Sequence, residues 1–133
     1  MTADPRALPL EATLYEAARI MRDQGIGDVL VTLSGKLCGL VTDRDIVIRA
    51  VAESRDAGLT SLGEVCTAEP VTLGPDDDTD TALRLMRQEA IRRVPVVDDQ
   101  NRPVGIVSIG DLVIADGTGA SPLRDISEAP PNL

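Results

Sequence analysis

The stretch Gly39-Leu40-Val41-Thr42-Asp43-Arg44-Asp45 returns 66 residues later as Gly105-Ile106-Val107-Ser108-Ile109-Gly110-Asp111. Each copy runs from a short β-branched segment into a hydroxyl residue and sets a carboxylate three positions beyond it. That order predicts a strand passing directly into a helix, with the hydroxyl as N-cap and the acid at N3. A motif this short says little alone, so the sequence around it has to carry the argument.

Outward from the motif, most of the chain is a repeat. A shift of 65 positions matches Thr2 with Thr67, Ala3 with Ala68, Pro5 with Pro70, Leu8 with Leu73, Ala17 with Ala82, Met21 with Met86, Ile26 with Ile91 and Val29 with Val94. Beyond the turns the shift becomes 66, matching Gly39 with Gly105, Asp45 with Asp111 and Val47 with Val113. The extra residue falls between Ser34-Gly35 of the first copy and Asp98-Asp99-Gln100-Asn101 of the second, turn sequences in which added length costs little. Self-similarity on this scale decides the architecture before any single motif does.

Both copies show the same succession of periodicities. Leu14, Ala17, Ala18 and Met21, and later Thr79, Ala82, Leu83 and Met86, stand at helical spacing, and Gly25 supplies a stop. Val29 to Leu33 with Leu37 to Thr42, and Val94 to Asp98 with Pro103 to Ser108, read as hairpins. A second helix is predicted from about Asp43 to Glu53 on the spacing of Ile46, Val47, Arg49 and Ala50. Its counterpart runs from about Ile109 to Asp116 on Leu112, Val113 and Ala115. The unit is therefore βαββα: a first repeat over 1–58, a second over 59–120, and a tail over 121–133. Ser54 to Glu64, with Gly58 and Gly63, reads as the joint. Ser121 to Leu133, with Pro122, Pro130 and Pro131, reads as a tail with little packing.

Composition narrows the function. The 133 residues are 43% apolar and 26% charged, ordinary for a globular chain, and two halves of this size are expected to depend on each other. There is no Trp, no Phe and one aromatic residue, Tyr15, so the core must be aliphatic. A net charge of −9 opposes nucleic acid polymers and anionic membranes. No apolar run approaches a membrane span and no basic leader opens the chain, which predicts a cytoplasmic protein. Cys38 and Cys66 fit no metal or redox spacing and are expected to be packing residues.

Catalysis finds little support. The chain has no histidine, the commonest general base, and its one lysine, Lys36, lies in a turn. Asp76, Asp77, Asp78 and Asp80 lack the ligand alternation of a calcium loop and are expected to cap the helix after them. Gly117-Thr118-Gly119-Ala120-Ser121 lacks the lysine of a phosphate loop and reads as a flexible exit.

Two readings of the twin motif remain. Capping alone explains Thr42 with Asp45 and Ser108 with Asp111, because it satisfies amide hydrogens left over at a helix start. Alternatively the exposed amides attract a phosphate while the carboxylate accepts bonds from sugar hydroxyls. Occurrence twice, in register, favours the ligand reading, and the two roles can coexist.

The duplicated βαββα unit ending in Gly-h-Val-[Thr/Ser]-x-x-Asp resembles a CBS domain pair, or Bateman module, from the first residues to about Gly117. The form Thr42-Asp43-Arg44-Asp45 is similar to stand-alone two-domain bacterial members, including the actinobacterial hypoxic response type. The resemblance implies an α+β fold of two units packed sheet to sheet about a pseudo-two-fold axis, commonly paired as a homodimer. It also implies clefts between units that take AMP, ADP, ATP or S-adenosylmethionine as a regulatory ligand, with no required cofactor. Carried over by position, one cleft combines Thr42 and Asp45 with Val71, Ile91, Arg92, Arg93 and Val94. The other combines Ser108 and Asp111 with Leu8, Ile26, Gly27, Asp28 and Val29.

On that assignment the clefts differ. Arg92 and Arg93, with Arg44 near by, suit a phosphate, whereas Gly27 and Asp28 set an acid in the matching place. The bland alternative is that Arg92 and Arg93 are solvated surface charges. The expected function is a non-catalytic regulatory module acting on a separate effector protein. The alternative is a ligand-free dimerisation or interaction scaffold whose motifs merely cap helices.

Overall fold

In the computed structural model residues 2–3, 5–114 and 122–123 are described. The elements run β1 (Thr2–Ala3), β2 (Ala7–Pro9), α1 (Leu14–Gln24), β3 (Asp28–Leu33), β4 (Lys36–Thr42), α2 (Asp43–Ile46) with a π-helical continuation (Val47–Val51), α3 (Leu62–Val65) and β5 (Thr67–Ala68). They continue with α4 (Thr79–Glu89), β6 (Arg93–Val97), β7 (Pro103–Ser108) and α5 (Ile109–Ile114). This is the α+β tandem repeat expected from the sequence.

The chain forms two compact units. Arg6–Pro70 make one, and the described residues before and after that span make the other. In the first, a sheet of order β2-β3-β4-β5 joins β2 parallel to β3, with Leu8 opposite Val31, and β4 antiparallel to both β3 and β5. The β3–β4 hairpin turns on Ser34 and Gly35, both at positive φ (53° and 78°). A two-residue loop with both central residues left-handed matches the natural strand twist.

In the second unit the order is β1-β7-β6, with antiparallel pairing throughout. The counterpart of β2 shrinks to one parallel bridge, Leu73 to Val96, held by Leu73 N–H to Pro95 O at 3.0 Å and Val97 N–H to Leu73 O at 2.9 Å. Its hairpin is longer. There the Asp98 carboxylate accepts the amides of Gln100 and Arg102, each at 2.9 Å, so the inserted residue lies in a turn that a side chain organises.

The edge strands show how the repeat is used. Thr2 and Ala3 pair with Ile106 and Gly105, while Thr67 and Ala68 pair with Leu40 and Gly39, at positions equivalent under the repeat. Each repeat thus lends its leading Thr-Ala strand to the other repeat's sheet. The physical units consequently part at residues 5–6 and 70–71, while the sequence repeat is cut at 58–59.

Each unit has its own aliphatic core. Leu14, Ala17, Met21, Val29, Val31, Val41 and Ala50 fill the first, and Leu73, Ala82, Met86, Val94, Val96, Val107 and Leu112 fill the second. The helices are punctuated as their sequences require. Thr13 and Glu16 form a capping box at α1, Asp78 caps α4 by accepting the Thr81 amide at 2.8 Å, and Gly25 ends α1 at φ 64°. Ala90 ends α4 in the same left-handed conformation, φ 54°, without glycine's freedom.

Four expectations need correction. Ala18 is exposed, so the inward stripe of α1 is Leu14, Ala17 and Met21. The second helix of the first repeat widens into the π-helical turn, with Ala52 N–H to Val47 O and Arg55 N–H to Ala50 O. That widening leaves Ala50 buried and turns Val47 outward, and Arg49 is exposed rather than part of an apolar stripe. The joint is not merely a linker, because α3 forms there and inserts Leu62 and Val65 into the first core. Nor does the tail lack packing throughout: Leu123 is fully buried in the second core and its amide donates to Asp77 O at 3.0 Å. Gly117–Ser121 and 124–133 lie outside the described residues, as does the predicted end of the last helix at Ala115–Asp116.

Candidate functional site

The twin motifs fold alike. At the end of β4 Thr42 is extended and caps α2: its Oγ1 accepts the Asp45 amide at 3.1 Å, and Asp45 Oδ2 accepts the Thr42 amide at 2.9 Å. At the end of β7, Ser108 Oγ accepts the Asp111 amide at 3.2 Å, and Asp111 Oδ2 accepts the Ser108 amide at 2.8 Å. Both are reciprocal capping boxes, so the structural role expected of the motif is present in each copy. Asp111 is 2% exposed, and a carboxylate so withdrawn from water requires such donors.

A second backbone link recurs beside each box. Asp43 N–H donates to Gly27 O at 3.0 Å, and Ile109 N–H donates to Arg92 O at 2.9 Å. Strand pairing sets Asp28 opposite Thr42 and Arg93 opposite Ser108. Within one unit, therefore, Thr42 and Asp45 stand beside Gly27 and Asp28; within the other, Ser108 and Asp111 stand beside Arg92 and Arg93. The hydroxyl and acid are common to both, and the charge of their neighbours is opposite.

The remaining predicted residues fall around these two places. Val29 and Val94 are buried in β3 and β6; Ile26 and Ile91 are half-buried against their respective cores. Leu8 lies in β2, and Val71, half-buried, precedes the bridge at Leu73. Arg92 and Arg44 are exposed, whereas Arg93 is half-buried at the start of β6.

Two features escaped the sequence reading. Asp45 Oδ1 lies 3.8 Å from Nη2 of Arg49, one helical turn on. The Asp-to-Arg spacing of four residues was the available signal. The motif glycine, Gly39, has a packing cause: a Cβ there would stand 2.7 Å from Cys66 Sγ and 3.2 Å from Thr67 O. Cys38 and Cys66 are free and half-buried against the first core. Burial pushes both thiols above their ordinary range, and the nearness of Cys38 adds to the effect at Cys66. Such thiols are poor nucleophiles at neutral pH.

Among the described residues no cluster of His, Cys, Asp and Glu is arranged to hold a metal, and no helix is long and apolar enough to cross a membrane.

Known proteins resemble this chain over most of its length. The CBS domain-containing protein YhcV of Bacillus subtilis is 39% identical over 130 residues, covering 96% of this chain and 91% of that protein. Hypoxic response protein 1 of Mycobacterium tuberculosis is 34% identical over 101 residues, covering 75% and 70%. Among solved structures, the CBS domain pair of protein MJ0100, in complex with 5'-methylthioadenosine and S-adenosyl-L-methionine, aligns with TM-score 0.78 at 30% identity over 87% of this chain and 94% of its own. The CBS domain protein PAE2072 of Pyrobaculum aerophilum, complexed with AMP, aligns with TM-score 0.74 at 28% identity over 82% and 83%. The CBS domain model matches residues 1–51 and again 62–117, one match to each copy of the repeat. With two such matches spanning most of its length, the chain belongs to the CBS domain family.

Proposed function

We propose that this protein is a non-catalytic regulatory module that binds an adenosine-containing ligand, AMP, ADP, ATP or S-adenosylmethionine, in clefts between its two repeats. The observation that carries the reading is the exact recurrence of a hydroxyl and a carboxylate, fixed by a capping box, at a strand-to-helix junction in both copies. The capping bonds occupy one oxygen of each carboxylate, and a carboxylate accepts about four hydrogen bonds in all. At Asp45 a sugar hydroxyl can approach the other oxygen, Oδ1, which lies 3.8 Å from Arg49 Nη2. That two relatives of similar fold carry adenosine compounds supports the ligand class.

One site takes Thr42 and Asp45 with Val71, Ile91, Arg92, Arg93 and Val94; the other takes Ser108 and Asp111 with Gly27, Asp28 and Val29. On this assignment phosphate prefers the first, where guanidinium groups meet it. Pairing by unit would reverse the preference, since Arg92 and Arg93 adjoin Ser108. Calorimetric titration of AMP into Asp45→Ala and Asp111→Ala decides between them. The greater loss is expected in Asp45→Ala; equal losses would remove the inequality. No stabilisation of the wild-type chain by millimolar adenine nucleotides or S-adenosylmethionine in thermal melts would remove the ligand reading itself.

A ligand acts on such a module only through unequal affinity for two arrangements, and the output passes to a separate effector in the cytoplasm. A second reading, a homodimeric or protein-binding scaffold, draws support from apolar side chains left exposed in the first unit: Val47 (56%), Ile48 (44%), Val51 (66%) and Leu59 (84%). Homodimerisation is compatible with both readings. Sedimentation of the wild type and of Val47→Asp with Val51→Asp tests it, a monomer being expected for the doubly charged variant.

A further inference from the structure

A single guanidinium joins the candidate site to the segment by which the chain leaves the first unit. Arg49 Nη2 faces Asp45 Oδ1 at 3.8 Å, while Nη1 of the same group donates to Val65 O at 3.0 Å and to Thr67 Oγ1 at 3.3 Å. Val65 ends α3 and Thr67 begins β5, the strand after which the chain crosses to the other unit at residues 70–71. In the second copy the equivalent position, 66 residues on, is Ala115, which has no guanidinium to offer.

The chemistry of the group decides what this arrangement does. An isolated exposed ion pair contributes little, and Arg49 is 46% exposed. Here, however, a rigid planar fork touches three acceptors on three elements at once, so the position of one acceptor constrains the others. Asp45 is in turn fixed at its second oxygen by the Thr42 amide. A ligand hydroxyl that draws on Oδ1 competes with Arg49 for it and alters the hold of the fork on Val65 and Thr67.

We infer that Arg49 is a positioning residue that orients the Asp45 carboxylate for its ligand and carries the state of that carboxylate to the Val65–Thr67 segment. The ligand half of this statement rests on the function proposed above; the tether half does not. It is read in the full chain by amide exchange at Cys66 and Glu69, whose N–H groups donate to Leu62 O and Cys38 O at 2.9 and 3.1 Å.

In the nucleotide-free protein, Asp45→Asn and Arg49→Ala are each expected to speed exchange at both amides, and the double variant no more than the faster single one. With AMP, the wild type is expected to change its exchange there, and Arg49→Ala to bind AMP about threefold to tenfold more weakly without transmitting the change. Should Arg49→Ala fail to fold, Thr67→Val removes one acceptor without touching the helix, and a smaller acceleration is expected. If Asp45→Asn leaves Cys66 and Glu69 as in the wild type while Arg49→Ala speeds them, Arg49 only braces β5 and the inference is overturned. Failure of AMP to bind the wild type, with the nucleotide-free coupling intact, overturns the adenosine reading and supports the tether.

Discussion

The turn Gly25-Ile26-Gly27-Asp28 and its counterpart Ala90-Ile91-Arg92-Arg93 perform the same task with different chemistry. Both leave a helix through a left-handed residue, both tuck an isoleucine against a core, and both offer a carbonyl to the helix start across the sheet. The backbone is shared; the charge is not. One copy presents glycine and an acid where the other presents two arginines. What the two copies share in this segment is the backbone path and one apolar side chain, and the two positions after the isoleucine differ in charge.

The largest effects should come from positions outside the duplicated βαββα skeleton. Leu62 in one core and Leu123 in the other are both fully buried, and neither belongs to that skeleton. Leu62→Ala and Leu123→Ala should each cost about 2–5 kcal/mol in denaturant unfolding. A loss near zero for Leu123→Ala would return residue 123 to a dispensable tail and make the two cores unlike.

Exchanging the charges tests the comparison more directly. Replacing Arg92-Arg93 by Gly-Asp should weaken AMP binding about tenfold or more at the site that holds the phosphate, read by calorimetry. An unchanged affinity would mean that these arginines do not meet the phosphate.

Smaller still are the two helix ends. Ala90→Gly should stabilise the chain by about 1 kcal/mol and Gly25→Ala should destabilise it by about the same, since each reverses the cost of a left-handed Cβ. Chemical denaturation of both variants measures the pair, and effects of like sign would show that the turns are not equivalent.

The acid limb gives the smallest term. The Thr81 amide holds the Asp78 carboxyl below its ordinary range, and the Arg102 amide does the same for Asp98 in the second unit; in the first, the Ser61 amide acts so on Glu64. A depressed folded-state value gives stability that is complete above the ordinary carboxylate range and is lost as pH falls through the depressed one. Melting temperature should therefore fall below the ordinary carboxylate range, and Asp78→Asn should flatten that fall.

Most of the fold was legible because it is written twice. Met21 with Met86 and Gly39 with Gly105 each confirm the period of the other, and the hairpins follow from turn residues at both places. What the sequence concealed was local competition. The π-helical turn obeys no helical stripe, so Val47 was misplaced; α3 announced itself only through Ser61 and Glu64, a capping pair inside an apparent linker. At the site, Thr42, Asp45, Ser108 and Asp111 were readable as caps because caps are local. The pairing of Arg49 with Asp45 was readable from its spacing of four, but its bonds to Val65 and Thr67 were not, since those residues are distant in the chain and belong to elements too short to leave a periodic trace.

The reciprocal loan of Thr2–Ala3 and Thr67–Ala68 bears on how such a protein could arise. A gene encoding one copy would yield a chain whose sheet lacks its outermost strand and whose own leading strand has no sheet. Two such chains could repair each other by trading arms, and fusing their genes would turn a concentration-dependent assembly into a permanent one. By the same logic, severing the present molecule midway should yield fragments that fold poorly apart and recover when mixed.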